Sequence, residues 1–299
     1  MRENIALVFS GGSANGFAYI GVLKFLEEHQ ITAKLTGGTS AGSIFSAMLA
    51  AGYNSEEMLE YCAELQKKLP KIKDFSWKNI WKSIVQLDLN VVDGLIKGDK
   101  IQREITTVLQ RKGVKTFADF RLPFYLHTIN LDDGQDVYLD SINKENQQEN
   151  VADWIRASIS IPGIFIPKKI NGGHYIDGGV KSNYPLLTAA EVAKTNNLQI
   201  DTVVSVSIKD DCFTNEFNLS QENLFDIMQR TMKLVMDDQY QTDHDIFRER
   251  YTQQINLIEI QIPPLHSASN FDVDIGKLVQ HGYDSCKNNQ SKLFNMGAK

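Results

Sequence analysis

Apolar positions along this chain fall into short blocks that follow two rhythms. Ile5 to Phe9 is an unbroken apolar run halted by Ser10-Gly11-Gly12, which predicts a buried strand and then a turn. From Gly16 to His29 the residues Phe17, Ile20, Gly21, Val22, Leu23, Phe25 and Leu26 recur at helical spacing and leave Lys24, Glu27 and Glu28 for solvent. A short strand around Lys34 to Thr36 leads into Gly37-Gly38-Thr39-Ser40-Ala41-Gly42, and Ile44 to Ala51 resumes as a helix ending at Gly52. The N-terminal part therefore reads strand, glycine turn, helix, twice over.

The pattern then turns polar and amphipathic. Residues 53–113 predict a helical excursion from the sheet, with Ser55 and Asp99 as N-caps and Pro70 and Gly94 or Gly98 as separators. Strands return at Pro123 to Leu131 and Asp136 to Leu139, joined by the hairpin-type turn Asp132-Asp133-Gly134-Gln135. After a polar loop, Val151 to Ser158 predicts a helix, Phe165 to Ile170 an extended segment, and Asn171-Gly172-Gly173 a turn. A helix at Leu186 to Asn196 precedes a buried strand at Asp201 to Ser207. The C-terminal extension, 208–299, adds helices at about Asn223 to Tyr240 and Ile275 to Asn288 around a strand at Ile255 to Ile262. Without repeats or a linker-like stretch, the alternation predicts a single α/β domain over 1–299 with a largely parallel sheet.

Composition narrows the function classes. A chain of 299 residues with 42% hydrophobic content buries a substantial core. Its net charge of −6 argues against a nucleic-acid partner, which would need a surplus of Lys and Arg to neutralise phosphates. No run approaches the roughly 18 apolar residues of a spanning helix, and the N-terminus leads straight into a strand rather than a signal-peptide core. A soluble, cytoplasmic protein is expected, with peripheral membrane contact as an option. Cys62, Cys212 and Cys286 are too few and too scattered for a disulfide framework or a zinc cluster.

Three glycine-rich turns carry candidate chemistry. Gly38-Thr39-Ser40-Ala41-Gly42, between a strand and a helix, matches the nucleophile elbow, in which a strained turn lifts a serine clear of the sheet and flanking glycines allow the tight crossing. The helix after Ser40 aims its first amides and positive dipole end at charge forming on a substrate. Upstream, Gly11-Gly12-Ser13-Ala14-Asn15-Gly16 lies in the equivalent place after the first strand. Its spacing fits neither the dinucleotide fingerprint nor the P-loop. Amides of Gly11, Gly12 or Ser13 with that of Ala41 would converge on an oxyanion, where losing one donor typically costs about 10²- to 10³-fold in rate. The third turn is Tyr175-Ile176-Asp177-Gly178-Gly179, where an acid ends a short strand and two glycines release the backbone.

Together these turns resemble the patatin-like phospholipase family, as do Phe17-Ala18-Tyr19-Ile20-Gly21-Val22-Leu23, Ala157-Ser158-Ile159-Ser160-Ile161-Pro162-Gly163 and Gly178-Gly179-Val180-Lys181-Ser182-Asn183-Tyr184-Pro185. The resemblance covers roughly residues 5 to 207. It implies a three-layer α/β/α sandwich and a lipid acyl hydrolase with a Ser40–Asp177 dyad and no catalytic histidine. Asp177 would take the Ser40 proton and later activate water. Neither cofactor nor metal is expected, since the resemblance implies metal-independent chemistry. The chain departs from the family loop, which usually reads Gly-Gly-Gly-x-Arg/Lys-Gly: Ser13 replaces the third glycine and Asn15 the cation, so Ser13 is strained if its φ is positive.

Rival readings stay open at this level. Six histidines, His29, His127, His174, His244, His266 and His281, leave room for a Ser, Asp, His triad, with His174 the first to check. Lys67, Lys68, Lys71, Lys73, Lys78 and Lys82 interleave with Phe75, Trp77 and Trp81, which suits either a cap helix or transient contact of Trp77 and Trp81 with a lipid surface. A patatin-like lipid-binding or regulatory module with little turnover, an acyltransferase and a thioesterase are the alternative functions. The oligomeric state is open, a homodimer being one option.

Overall fold

The computed structural model describes residues 2–68, 97–209, 224–265 and 273–294. Among the described residues, strand β1 (Arg2–Phe9) runs through the middle of an eight-stranded sheet. It is flanked in parallel by β2 (Ile31–Thr39) and β7 (Thr202–Ile208), and β8 (Asn256–Ile262) extends the sheet in parallel beyond β7. On the other side β3 (Phe124–Asn130) lies parallel to β2. Antiparallel pairing begins there: β4 (Asp136–Asp140) and β6 (Gly173–Asp177) both pair with β3, and β5 (Lys168–Ile170) pairs with β6.

Both faces of the sheet are covered, and β1 shows how. Ile5, Leu7 and Phe9 enter one core with helices α1 (Ala18–Glu28), α2 (Ala41–Ala50), α3 (Ser55–Lys68), α4 (Asp99–Arg111), α5 (Val151–Ser158) and α8 (Ile275–Asn288). Ala6 and Val8 point the other way, into a second core with α6 (Leu186–Thr195) and α7 (Leu224–Tyr251). A strand buried on both sides cannot afford alternation, which is why Ile5 to Phe9 is apolar throughout. Each such large apolar side chain, fully buried, contributes about 1.5–3 kcal/mol.

Several elements differ from the sequence expectation. Strand β2 runs on through Gly37 and Gly38, because a methyl at Gly37 would fall 2.2 Å from the Tyr125 ring and one at Gly38 2.6 Å from Phe9 O; glycine here marks close approach rather than a break. Helix α7 continues to Tyr251 instead of stopping at Tyr240, burying Asp243, His244 and Phe247. A short helix α9 (Gln290–Phe294) follows α8. The cap of α3 is Asn54: its Oδ1 accepts the Glu57 N–H at 2.8 Å and the Glu57 carboxylate accepts the Asn54 N–H at 3.1 Å, while Ser55 hydrogen-bonds Glu27. At α4 the cap position belongs to Gly98, with φ 73, and Asp99 sits in the first turn.

Helices α1 and α8 pack backbone to backbone. A methyl added at Gly21 would lie 1.8 Å from Val279 O, and one at Gly282 1.9 Å from Ala18 O. The C-terminal part of the chain thus grips the helix that follows the first glycine turn.

Candidate active site

The turn at Ser40 is a single residue wide. Strand β2 ends at Thr39 and α2 begins at Ala41, so Ser40 makes the whole reversal at φ 53 and ψ −127. That conformation strains a residue with a side chain by about 1–3 kcal/mol and persists only when the surroundings enforce it. The enforcement is visible. A methyl at Gly42 would fall 2.3 Å from Phe9 O and 2.5 Å from Ser10 O, so α2 rides directly on the end of β1. The Ser40 N–H donates to Ser158 Oγ at 3.0 Å, and the Ser158 hydroxyl donates to His127 O at 2.7 Å. On the other side Ser40 O accepts the Ser43 N–H at 2.9 Å and the Ser43 hydroxyl at 2.7 Å.

Strand β3 brings the acid to this turn. Thr39 pairs with His127, and the next β3 residue, Thr128, pairs with Asp177 at the end of β6. Ser40 and Asp177, far apart in sequence, are thereby measured off against neighbouring positions on one strand. Asp177 is 2% exposed; its N–H donates to Ser160 O at 3.0 Å and its Oδ1 accepts the Gly179 N–H at 2.7 Å. Gly178 has to be glycine, because a methyl there would lie 2.6 Å from both the His127 ring and its carbonyl oxygen.

Burial pushes the Asp177 carboxyl up from its usual 3.8 to about 7, against the smaller opposing pull of the Ser40 hydroxyl and the Gly179 amide. The Ser40 hydroxyl is close enough to favour the carboxylate, yet Oδ2 has no formed hydrogen bond. Catalytic hydrogen bonds are commonly long in unliganded enzymes and tighten when a substrate arrives, so this gap does not argue against a working contact between the two residues.

The first glycine turn completes the site's third side. Ser13 opens a 3-10 turn, Ser13–Phe17, with φ 50, so the strain expected of a serine in the family's glycine position is present. A methyl at Gly16 would sit 3.0 Å from Ala41 Cβ, which places the loop against the start of α2. The first amides of that helix, Ala41 and Gly42 among them, have no carbonyl four residues back within the helix. Of the four expected oxyanion donors, Gly11 is already engaged: its N–H donates to Asn183 Oδ1 at 3.0 Å and to Asn183 O at 3.3 Å. Asn15 does not face the site as a free amide. It is 3% exposed and its Oδ1 accepts the Leu265 N–H at 3.1 Å, tying the loop to the segment after β8.

The described histidines are engaged elsewhere. His174 bonds Asp132 at 2.9 Å, His244 bonds Glu259 at 2.9 Å, His281 faces Pro263 O, and His29 stacks on Phe25. His127 is fully buried, with its ring nitrogens on Ser182 O at 3.2 Å and Asp136 at 3.0 Å. None of these rings forms a hydrogen bond with Ser40 or Asp177, so the triad reading finds no base among the described residues. His266, Cys212, Trp77 and Trp81 lie outside them. The sequence does not mark Asn183, Ser158 or His127 as supports of the site, because their partners lie far away along the chain; Asn183 and Ser158 fall inside segments that resemble the family, whereas His127 is only one of six histidines. Among the described residues no group of three or more His, Cys, Asp and Glu is placed to hold a metal, and no helix is long and apolar enough to cross a membrane.

A mostly parallel sheet covered by helices on both faces, with a strained serine between strand and helix and a buried aspartate beside it, defines an α/β protein with a serine turn at the end of a central strand. The chain belongs to the patatin-like phospholipase family, whose sequence model matches residues 7–190. It is 33% identical over 196 residues to an uncharacterized protein, YqhO, of Bacillus subtilis, covering 60% of this chain and 64% of that one. It is 27% identical over 188 residues to lysophospholipase NTE1 of Scheffersomyces stipitis, covering 62% of this chain and 11% of that one. The chain therefore spans less than two thirds of the length of these relatives. Among solved structures, VipD from Legionella pneumophila matches 97% of this chain and 67% of its own with a TM-score of 0.50 and 15% identity, a likeness of fold.

Proposed function

We propose that this chain is a serine lipid acyl hydrolase that cleaves fatty-acyl esters, with Ser40 as nucleophile and Asp177 as general base. The observation that supports it best is the buried Asp177 carboxyl beside Ser40, with one oxygen anchored by Gly179 and the other left without a partner. A base held near pH 7 is matched to proton transfer at neutral pH.

The ionised Asp177 takes the Ser40 proton as Oγ attacks the ester carbonyl. The carbonyl oxygen gains the negative charge and is held by the amides of Gly12, Ser13 and Ala41, assisted by the N-terminus of α2. Collapse breaks the bond to the alcohol, which leaves with the proton from Asp177. Asp177 then takes a proton from water, the hydroxide attacks the acyl-Ser40, and the fatty acid departs as Oγ regains its proton. A lysophospholipid is the first substrate to test, because the NTE1 relative is a lysophospholipase.

Labelling wild type, Ser40→Ala and Asp177→Asn with a fluorophosphonate, followed by a panel of lysophospholipid, phospholipid and monoacylglycerol, tests this. Wild type should label and hydrolyse, Ser40→Ala should do neither, and Asp177→Asn should lose turnover. A wild type that binds lipid vesicles but neither labels nor hydrolyses would move the assignment to a lipid-binding module.

A further inference from the structure

Asn183 stands where the three parts of the site meet. Its side-chain oxygen accepts the Gly11 N–H at 3.0 Å across 172 residues of sequence, and its main-chain oxygen accepts the same N–H at 3.3 Å. A methyl added at Gly11 would fall 2.3 Å from that side-chain oxygen and 3.1 Å from Ser40 Cβ. A methyl added at Gly179 would fall 3.1 Å from the same oxygen and 3.0 Å from Asp177 Oδ1. The amide of Asn183 therefore touches the glycine loop, borders the nucleophile and abuts the turn that anchors the base, while itself only 9% exposed.

The chemistry of the residue suits that place narrowly. An apolar side chain would leave the buried Gly11 N–H with only the longer main-chain bond. A carboxylate would accept the same hydrogen bond, but would set a second negative charge beside Asp177 and favour its protonated form. A neutral amide supplies the acceptor without the charge.

We infer that Asn183 is a positioning residue, which withdraws the Gly11 amide from the oxyanion and thereby fixes the loop so that Gly12 and Ser13 face the reacting carbonyl at a set distance from Ser40 and Asp177. The inference rests on the reading of Ser40 and Asp177 as the dyad.

The test uses the full chain with a short soluble ester, p-nitrophenyl butyrate, measured across pH 5 to 9 in wild type, Asn183→Ala and Asn183→Asp, with thermal melts to confirm folding. Asn183→Ala should lose about 10²-fold in kcat with KM little changed, the usual scale for misplacing a reacting group by about an ångström. Its acid limb should stay where wild type has it. Asn183→Asp keeps the acceptor, so its kcat at high pH should recover most of that loss while its acid limb moves up by about one pH unit from the added charge. Wild-type kcat in a folded Asn183→Ala overturns the inference, as does an equal loss in both variants with no movement of the acid limb, which marks a merely structural role. A wild type inert to both the ester and the fluorophosphonate overturns the dyad reading and the inference together, whereas active wild type with an unaffected Asn183→Ala overturns the inference alone.

Discussion

Replacing Asp177 by Asn should stabilise the protein, and more so as the pH rises. The amide fits where the protonated acid fits: its oxygen accepts the Gly179 N–H as Oδ1 does at 2.7 Å, and its NH2 takes the place of the unpartnered Oδ2 beside Ser40. In the unfolded chain Asp177 ionises near its usual 3.8, whereas burial raises it to about 7 in the fold. Between those values the folded state holds a proton that the unfolded state has released, so stability falls as pH climbs and the loss is complete above about 7. At 1.36 kcal/mol per unit the whole interval amounts to about 4 kcal/mol, a large share of the roughly 5–15 kcal/mol by which domains are stable. Asn does not titrate and escapes this loss. The advantage of Asp177→Asn in unfolding free energy, read from urea midpoints at pH 5, 6, 7 and 8, should grow by about 2–3 kcal/mol over that range. A gap independent of pH, or a wild type more stable than the variant at pH 8, would refute the argument that burial dominates this carboxyl. On the proposed role of Asp177 as base, kcat/KM of wild type should drop about tenfold for each pH unit below 7, since only the ionised acid can take a proton.

Two further outcomes test the frame of the site. Ser40→Gly removes a side chain from a turn at φ 53, so the variant, though inactive, should gain about 1 kcal/mol in thermal or urea unfolding after glycine's own entropy cost, and a loss would mean the turn is not strained. Gly282→Ala drives a methyl to within 1.9 Å of Ala18 O and should lose at least about 2 kcal/mol, whereas Gly276→Ala on the same helix, with only Asp274 Oδ1 at 3.4 Å, should gain stability from its better helix propensity.

The elements that strict rhythm marks, such as Ile5 to Phe9 and Val151 to Ser158, were legible from the chain, and so were the three glycine turns. What was not legible has physical causes. Glycine disfavours strands in general, so the sequence alone stops β2 at Thr36; only the Tyr125 ring and the end of β1 show why Gly37 and Gly38 belong in it. Past Tyr240 the chain turns polar, and only the fold shows that Asp243 and His244 continue α7 buried, paired with Ser182 and Glu259. The engagement of Gly11 by Asn183 and of Asn15 by Leu265 depends on segments that meet only in the folded chain, so a motif that lists loop residues cannot say which amides remain available.

The use of β3 as the common reference for Ser40 and Asp177 bears on where this protein can change length. A strand whose consecutive residues pair with both arms of the site tolerates no insertion or deletion between Phe124 and Thr128, because a one-residue slip turns every side chain to the opposite face and carries Thr39 and Asp177 out of step. The exposed turn tips at Asp133-Gly134 and Asn143-Lys144-Glu145 lie outside that measure, whereas Ser141 is bonded to Phe124 and Asn150 caps α5, so insertions are expected to be tolerated at those tips and not at Ser141 or Asn150.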